Sequence, residues 1–166
     1  NRAGSSFGVS KVTASEQWEQ AIKEAFRHDY QVLIEAFIDG IEVTCGLIEK
    51  EGELIALPLT EITTENDFFD YEAKYEGKSQ EITPARVSDE IKEQVQSISK
   101  KIYNRLHLKG LVRMDYIVEK NQAYLIEINT IPGLSEESII PQQAACYGIS
   151  LKKLFSLTIE NMFLHD

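Results

Sequence analysis

Two adjacent stretches, residues 111–118 and 124–129, constrain the fold of this chain more than any other feature, because polar and apolar side chains alternate within them, over 112–116 and 126–129. Side chains on a strand point to opposite faces in turn. Arg113 and Asp115 therefore share one face, as do Glu127 and Asn129, while Val112, Met114, Tyr116, Ile126 and Ile128 take the other. A polar turn at Lys120 and Asn121 joins the stretches, predicting an antiparallel hairpin with one apolar and one polar face. If Val118 lies opposite Tyr124, then Asp115 faces Glu127 and Arg113 faces Asn129. Two carboxylates directly opposite repel each other unless a cation lies between them. Asp, Glu and an Asn carbonyl are hard oxygen donors, the set that suits magnesium. The plainer alternative is a solvated sheet face on which Arg113 makes a salt bridge.

The rest of the chain supplies what such a hairpin needs. With 43% hydrophobic residues in 166, a real core is expected. Thr13 and Glu16 read as a capping box, and Trp18, Ala21, Ile22, Ala25 and Phe26 follow at helical spacing, predicting a helix over 14–28 with one buried stripe. Residues 9–12 and 31–38 read as strands, and Asp39-Gly40 as a turn. A hairpin is expected from 42–49 and 53–62 around Glu51-Gly52. A domain boundary is placed at 40/41, giving segments 1–40 and 41–166. Residues 63–86 form a long aromatic-bearing loop, of the kind that usually serves function. Ser88 caps a helix whose face carries Ile91, Val95, Ile98, Ile102 and Leu106. A further helix is expected over 137–147, stopped by Gly148, and Ser150 caps the last one.

Charge and cysteine content exclude several functions. The 27 acidic against 17 basic side chains leave a formal charge of −10, which opposes nucleic-acid binding. No apolar run is long enough to span a membrane, no leader is expected, and the abrupt Gly/Ser-rich opening suggests a piece of a longer protein. Cys45 and Cys146 share no motif and read as buried small hydrophobes, consistent with a reducing cytosol. His28, His107 and His165 lack metal-ligand spacing. The loop from Gly4 to Gly8 could wrap a phosphate but lacks the ending of a P-loop, and on its own reads as a surface turn. Glu35 is either an edge residue facing water or an acceptor for a ligand amine; Lys74 and Arg86 read as solvated loop charges.

Several segments together resemble one family. Asn1-Arg2-Ala3-Gly4-Ser5-Ser6-Phe7-Gly8-Val9-Ser10, Val32-Leu33-Ile34-Glu35, Phe69-Asp70-Tyr71-Glu72-Ala73-Lys74-Tyr75, Arg113-Met114-Asp115 and Glu127-Ile128-Asn129-Thr130-Ile131-Pro132-Gly133 are similar, in order, to the D-alanine:D-alanine ligases of the ATP-grasp superfamily. The resemblance implies an α+β ATP-grasp fold: part of a central subdomain, then a C-terminal subdomain with a mainly antiparallel sheet flanked by helices. It implies ATP as cofactor, with Glu35 accepting from the adenine amine, Phe37 and Ile38 reading the ring edge through their backbone, Glu42 on the ribose and Lys74 on phosphates. Asp115, Glu127 and Asn129 would bind two Mg2+ ions, or Mn2+ in their place.

The implied reaction forms an acylphosphate from one D-alanine and ATP, and the amine of a second D-alanine then displaces phosphate. Arg113 and the Gly133 N–H would stabilise the oxyanion, and Ser138 with Ile139 would receive the second carboxylate. Ser5 and Tyr75 would link the glycine-rich loop to a closing loop, and Tyr75 favours D-alanine over D-lactate. The family's N-terminal domain and a preceding strand lysine are absent from the sequence, so weak nucleotide binding and negligible ligase activity are expected of this piece by itself. A bacterial cytoplasmic enzyme of peptidoglycan precursor synthesis, homodimeric at full length, is the implied setting. The alternatives are an ATP-grasp carboxylate–amine ligase with another acceptor, or a noncatalytic nucleotide-binding module.

Overall fold

A computed structural model describes residues 8–64 and 79–163, which fall into two compact units, one holding residues 8–38 with 64, 79 and 80 and the other 39–63 and 81–163. In the first, a 3-10 turn, Ser15–Gln17, leads into helix α1, Trp18–Ala25. The cap differs from the expected box: Gln17, not Glu16, turns back, its Oε1 accepting from Thr13 N at 2.8 Å and Ala14 N at 3.2 Å. The helix is also shorter than 14–28, and its apolar stripe is not buried, since Trp18 is 42% and Phe26 53% exposed.

Neither 9–12 nor 31–38 forms a strand. A strand is defined by its ladder, and apolar composition supplies none; among the described residues nothing pairs with these segments, and Leu33, Ile34 and Phe37 stay exposed. The Lys11 ammonium lies 3.7 Å from the centre of the Phe37 ring, a cation–π contact.

The second unit is a sheet with helices on both faces. Its strands are β1, Ile41–Lys50, β2, Glu53–Ala56, β3, Thr60–Thr64, β4, Ser79–Ile82, β5, Val112–Glu119, and β6, Gln122–Asn129. The order is β4-β3-β1-β5-β6, with β2 also on β1, and each ladder of defined register is antiparallel. The expected single strand over 53–62 is split at Pro58, which has no N–H to give a ladder. β2 pairs with the end of β1 and β3 with its beginning, while Leu57 N donates to Gly46 O at 2.8 Å between them.

Helix α2, Asp89–Arg105, is capped by Ser88, whose Oγ accepts from Ile91 N, and it buries Ile91, Val95, Ser99 and Tyr103 at a spacing of four. Leu106, expected on this face, is 55% exposed beyond the helix end. The two polar members of the stripe are satisfied: Ser99 Oγ bonds Tyr116 OH at 2.8 Å, and Tyr103 OH donates to Glu49 Oε1 and Gly110 O. Burial pushes the Tyr116 hydroxyl up to about 12 and the Cys45 thiol likewise to about 12. Val43, Cys45, Leu47, Met114, Tyr116 and Val118 meet α2 from the sheet. Helices α3, Ile139–Tyr147, and α4, Leu151–Phe163, cover part of the opposite face, where Ile140, Ala144, Leu154 and Leu157 pack on Ile48 and Leu57. Each fully buried leucine contributes about 1.5–3 kcal/mol. Cys146 is exposed rather than buried, because it lies on the outer side of α3, away from Gln143 and Ala144.

On β3, opposite Val43, Glu61 takes three hydrogen bonds from Arg86, from the backbone N at 3.1 Å, Nε at 2.9 Å and Nη2 at 2.8 Å. Arg86 is thus paired, not merely solvated, and it holds the Glu61 carboxyl below its ordinary value of 4.5. A carboxylate with a depressed folded pKa stabilises the fold above its unfolded pKa and loses that contribution as pH falls through the folded value. Urea unfolding of Glu61→Gln is therefore expected to show lower stability near neutrality and a flatter decline below about pH 4.5 than the parent chain. Equal slopes would remove Glu61 from the acid response.

Candidate functional site

The polar face of the sheet is assembled by cross-strand register. Thr44 lies opposite Asp115 on one side and Thr60 on the other; Glu42 lies between Ile117 and Ile62. Arg113 pairs with Asn129, and Asp115 with Glu127, as the alternation predicts. The turn end of the hairpin differs: Val118 lies opposite Ala123, not Tyr124, because the register shifts between Asp115 and Tyr116. The two-residue turn Lys120-Asn121, with φ of 48° and 64°, sets one register, and a bulge that leaves Ile126 as the extra residue restores the other. The bulge lets Ala123 stay in the core against α2 while Glu127 and Asn129 emerge on the face of Asp115. Without it one of those two sets would point the wrong way.

Arg113 is the electrostatic centre of this face. Its Nε donates to Asp115 Oδ1 at 2.8 Å and its Nη2 to Asp115 Oδ2 at 2.7 Å, with Glu127 Oε1 3.7 Å away. The Arg113 and Asp115 side chains are 16% and 9% exposed. Burial opposes the guanidinium charge, but the Asp115 hydrogen bonds and the nearby charges of Asp115, Glu127 and Glu42 outweigh it and raise the Arg113 pKa. Glu81 on β4 hydrogen-bonds Gln142 Nε2 at 3.1 Å; partial burial raises its pKa against the opposing effects of Gln142 and Arg113.

The other expected residues fall into three groups. Glu42 lies on the same face, half-buried, within the field of Arg113. Asn129 Oδ1 accepts from Ile131 N at 3.0 Å, a turn that starts the segment carrying Gly133. Gly133 approaches Ser138 so closely that an added Cβ would lie 2.9 Å from its Oγ, and Ser138 is the N-cap of α3, directly before Ile139. Glu35 and Phe37 are exposed and Ile38 half-buried in the first unit. Ser5, Lys74 and Tyr75 lie outside the described residues.

The donor chemistry fits a hard divalent cation, with two carboxylates on neighbouring strands at opposed positions and an amide oxygen next to them. Among the described residues no group of three or more His, Cys, Asp or Glu is placed to hold an ion.

Sequence reading missed the side chain that joins α3 to this face. Gln143 is fully buried; its Oε1 accepts from Gly46 N at 2.9 Å, and its Nε2 donates to Thr44 O at 2.9 Å and Thr60 Oγ1 at 3.1 Å. Gly46 is required beneath it, since a Cβ there would run into Gln143 Oε1 and lie 2.5 Å from Ile140 Cδ1. Thr44, Gln143 and Glu81 carry no motif in sequence.

An antiparallel sheet bearing an Arg, Asp, Glu and Asn cluster on one face, with helices on both sides, is the α+β arrangement of ATP-grasp proteins. Comparison with known proteins narrows this: the family model described as D-ala D-ala ligase C-terminus matches residues 1–160, and the chain belongs to that family. The D-alanine–D-alanine ligase of Flavobacterium johnsoniae is 54% identical over 160 residues, 96% of this chain and 50% of that protein. The Bacteroides fragilis ligase is 46% identical over 164 residues, 98% and 51% of the two chains. Among solved structures, the VanG D-Ala:D-Ser ligase of Enterococcus faecalis aligns with a TM-score of 0.84 at 35% identity, covering 96% of this chain and 47% of that one. D-alanine–D-alanine ligase from Bacillus anthracis, complexed with ATP, aligns at 0.76 and 29% identity, covering 90% and 47%. The chain spans about half the length of the curated relatives it matches.

Proposed function

We propose that this chain is the nucleotide- and metal-binding half of an ATP-dependent D-alanine:D-alanine ligase that makes D-alanyl-D-alanine for peptidoglycan precursors. The observation that carries the reading is the register that sets Asp115 against Glu127 and Arg113 against Asn129 on one sheet face. In this reading Asp115, Glu127 and Asn129 hold two Mg2+ ions, or Mn2+, whose charge lets a carboxylate approach a γ-phosphate. Residues 1–40 belong to the central subdomain and 41–166 to the C-terminal one. Glu35 and the backbone of Phe37 and Ile38 take adenine, Glu42 the ribose and Lys74 the phosphates. Ser5 and Tyr75 act where the segment between β3 and β4 closes; Ser79–Ile82, expected within a loop over 63–86, form a strand.

Arg113 meets a developing oxyanion through its guanidinium N–H groups, two of which Asp115 holds until it turns to a cation, and the Gly133 N–H adds another. Ser138 and Ile139 begin α3, whose first N–H groups have no partner within the helix and so suit the carboxylate of the second D-alanine. The protein acts in the cytoplasm, as a homodimer at full length, on small molecules; its charge of −10 disfavours nucleic acid. Among the described residues no helix is long and apolar enough to cross a membrane.

A second reading, a ligase with another acceptor, is favoured by the similarity to the D-Ala:D-Ser ligase. The test is calorimetric titration of Mg-ATP into the full-length protein carrying this chain, beside its Asp115→Ala plus Glu127→Ala variant, followed by turnover with D-alanine, D-serine or D-lactate as second substrate. Magnesium-dependent binding is expected to weaken at least about 100-fold in the variant, with D-alanine preferred. Unchanged binding would overturn the metal assignment, and a preference for D-serine would replace the acceptor.

A further inference from the structure

Thr44 is fully buried on β1, and its Oγ1 has no hydrogen-bond partner. A buried hydroxyl in that condition costs about 1–3 kcal/mol, whereas valine would fill the same strand position without that cost. Unsatisfied buried groups are rare enough in folded proteins that each calls for a cause, and strained or unsatisfied groups gather where a second state uses them.

The register narrows which state that is. Cross-strand neighbours in a ladder lie within side-chain reach, and the neighbours of Thr44 are Thr60 and Asp115. Thr60 is already engaged, bonding Thr83 Oγ1 at 2.6 Å and accepting from Gln143 at 3.1 Å. Asp115 is engaged as well, but by a partner that can be exchanged: each of its oxygens accepts one bond from Arg113, and the lone pairs that face the guanidinium are closed to a cation until that pairing opens. When Asp115 turns from the guanidinium to a cation, one of its lone pairs needs a new donor. The Thr44 hydroxyl is the uncommitted donor beside it.

We propose that Thr44 is a positioning residue for the metal site, its hydroxyl donating to Asp115 when that carboxylate leaves Arg113 for a divalent cation. This rests on the reading of Asp115 as a metal ligand. The partner that orients a ligating carboxylate commonly changes metal affinity 10–100-fold when removed. A hydroxyl that serves only the metal-bound state has a second signature. Its removal leaves the metal-free fold as stable as before or more so, whereas a structural hydroxyl would destabilise the fold when lost.

The experiment uses the full-length protein with Thr44→Val, Thr44→Ser and Asp115→Asn. Mn2+ binding is followed by electron paramagnetic resonance, and thermal unfolding is measured in EDTA. The expected result is a dissociation constant for Mn2+ raised roughly 10–100-fold in Thr44→Val and within about threefold of the parent in Thr44→Ser, with an EDTA midpoint for Thr44→Val equal to or above the parent's. Parent-like Mn2+ affinity in Thr44→Val, with binding lost in Asp115→Asn, would overturn the role of Thr44 alone. Parent-like affinity in Asp115→Asn would overturn the metal reading beneath it. A lowered EDTA midpoint in Thr44→Val would make the hydroxyl structural and equally end the proposal.

Discussion

Replacing Gln143 with leucine is expected to destabilise the second unit by about 3–5 kcal/mol, among the largest single-residue losses in the chain. The leucine has similar bulk, so the loss comes from polar groups, not volume. Gly46 N, Thr44 O and Thr60 Oγ1 all bond the buried amide and lie where water does not reach. Each buried group left without a partner costs about 1–3 kcal/mol, and Thr60 keeps Thr83 as a second partner, so the total falls short of three full penalties. Gln143→Glu is a sharper variant: one oxygen can still accept from Gly46, but the other faces Thr44 O, an acceptor with no proton to give. Chemical denaturation with an unchanged m-value measures both. A loss under about 1 kcal/mol in Gln143→Leu would mean that α3 is held by Ile140 and Ala144 alone.

That amide also marks the limit of what the chain's pattern discloses. Alternation of side chains over residues 111–129 predicts the hairpin, its polar face and the pairing of Asp115 with Glu127, because each is a local consequence of a two-residue period. The bulge is not local in that sense: it reconciles a turn at Lys120-Asn121 with a site four pairs away, and neither end alone requires it. Gln143 bonds residues 83–99 positions away, so no spacing rule reaches it. Pro58 is different. Its missing N–H is visible in sequence and divides β2 from β3, yet the apolar run around it reads as one strand. Residues 31–38 fail in the opposite sense: the composition is that of a strand, but a ladder needs a neighbour, which composition cannot supply. The family's motif residues survive this comparison unevenly. Arg113, Asp115, Glu127 and Asn129 come together because two strands carry them, while Glu35, Phe37 and Ile38 belong to a different unit from Glu42.

On the proposed function, Arg113→Ala is expected to lower turnover of the full-length protein by about 10²–10³-fold and, separately, to destabilise the second unit by roughly 3 kcal/mol. The two effects have different origins. Stability falls because Asp115, 9% exposed at its side chain, loses both donors and stays beside Glu127 and Glu42. Turnover falls, on the role proposed for Arg113, because the N–H groups that would meet the oxyanion are gone. The double variant Arg113→Ala plus Asp115→Ala separates them: with no carboxylate left unpaired, most of the lost stability is expected to return, while turnover stays at or below that of the single variant. If Asp115 is the proposed metal ligand, a divalent cation should also raise the unfolding midpoint of Arg113→Ala more than that of the parent, since in the parent the guanidinium competes with the cation for Asp115. Nucleotide affinity, measured by calorimetry, is expected to change less than turnover. If Arg113→Ala kept parent turnover once a divalent cation had restored its unfolding midpoint, Arg113 would be a structural counter-ion to Asp115, and the oxyanion would have to be held by backbone N–H groups.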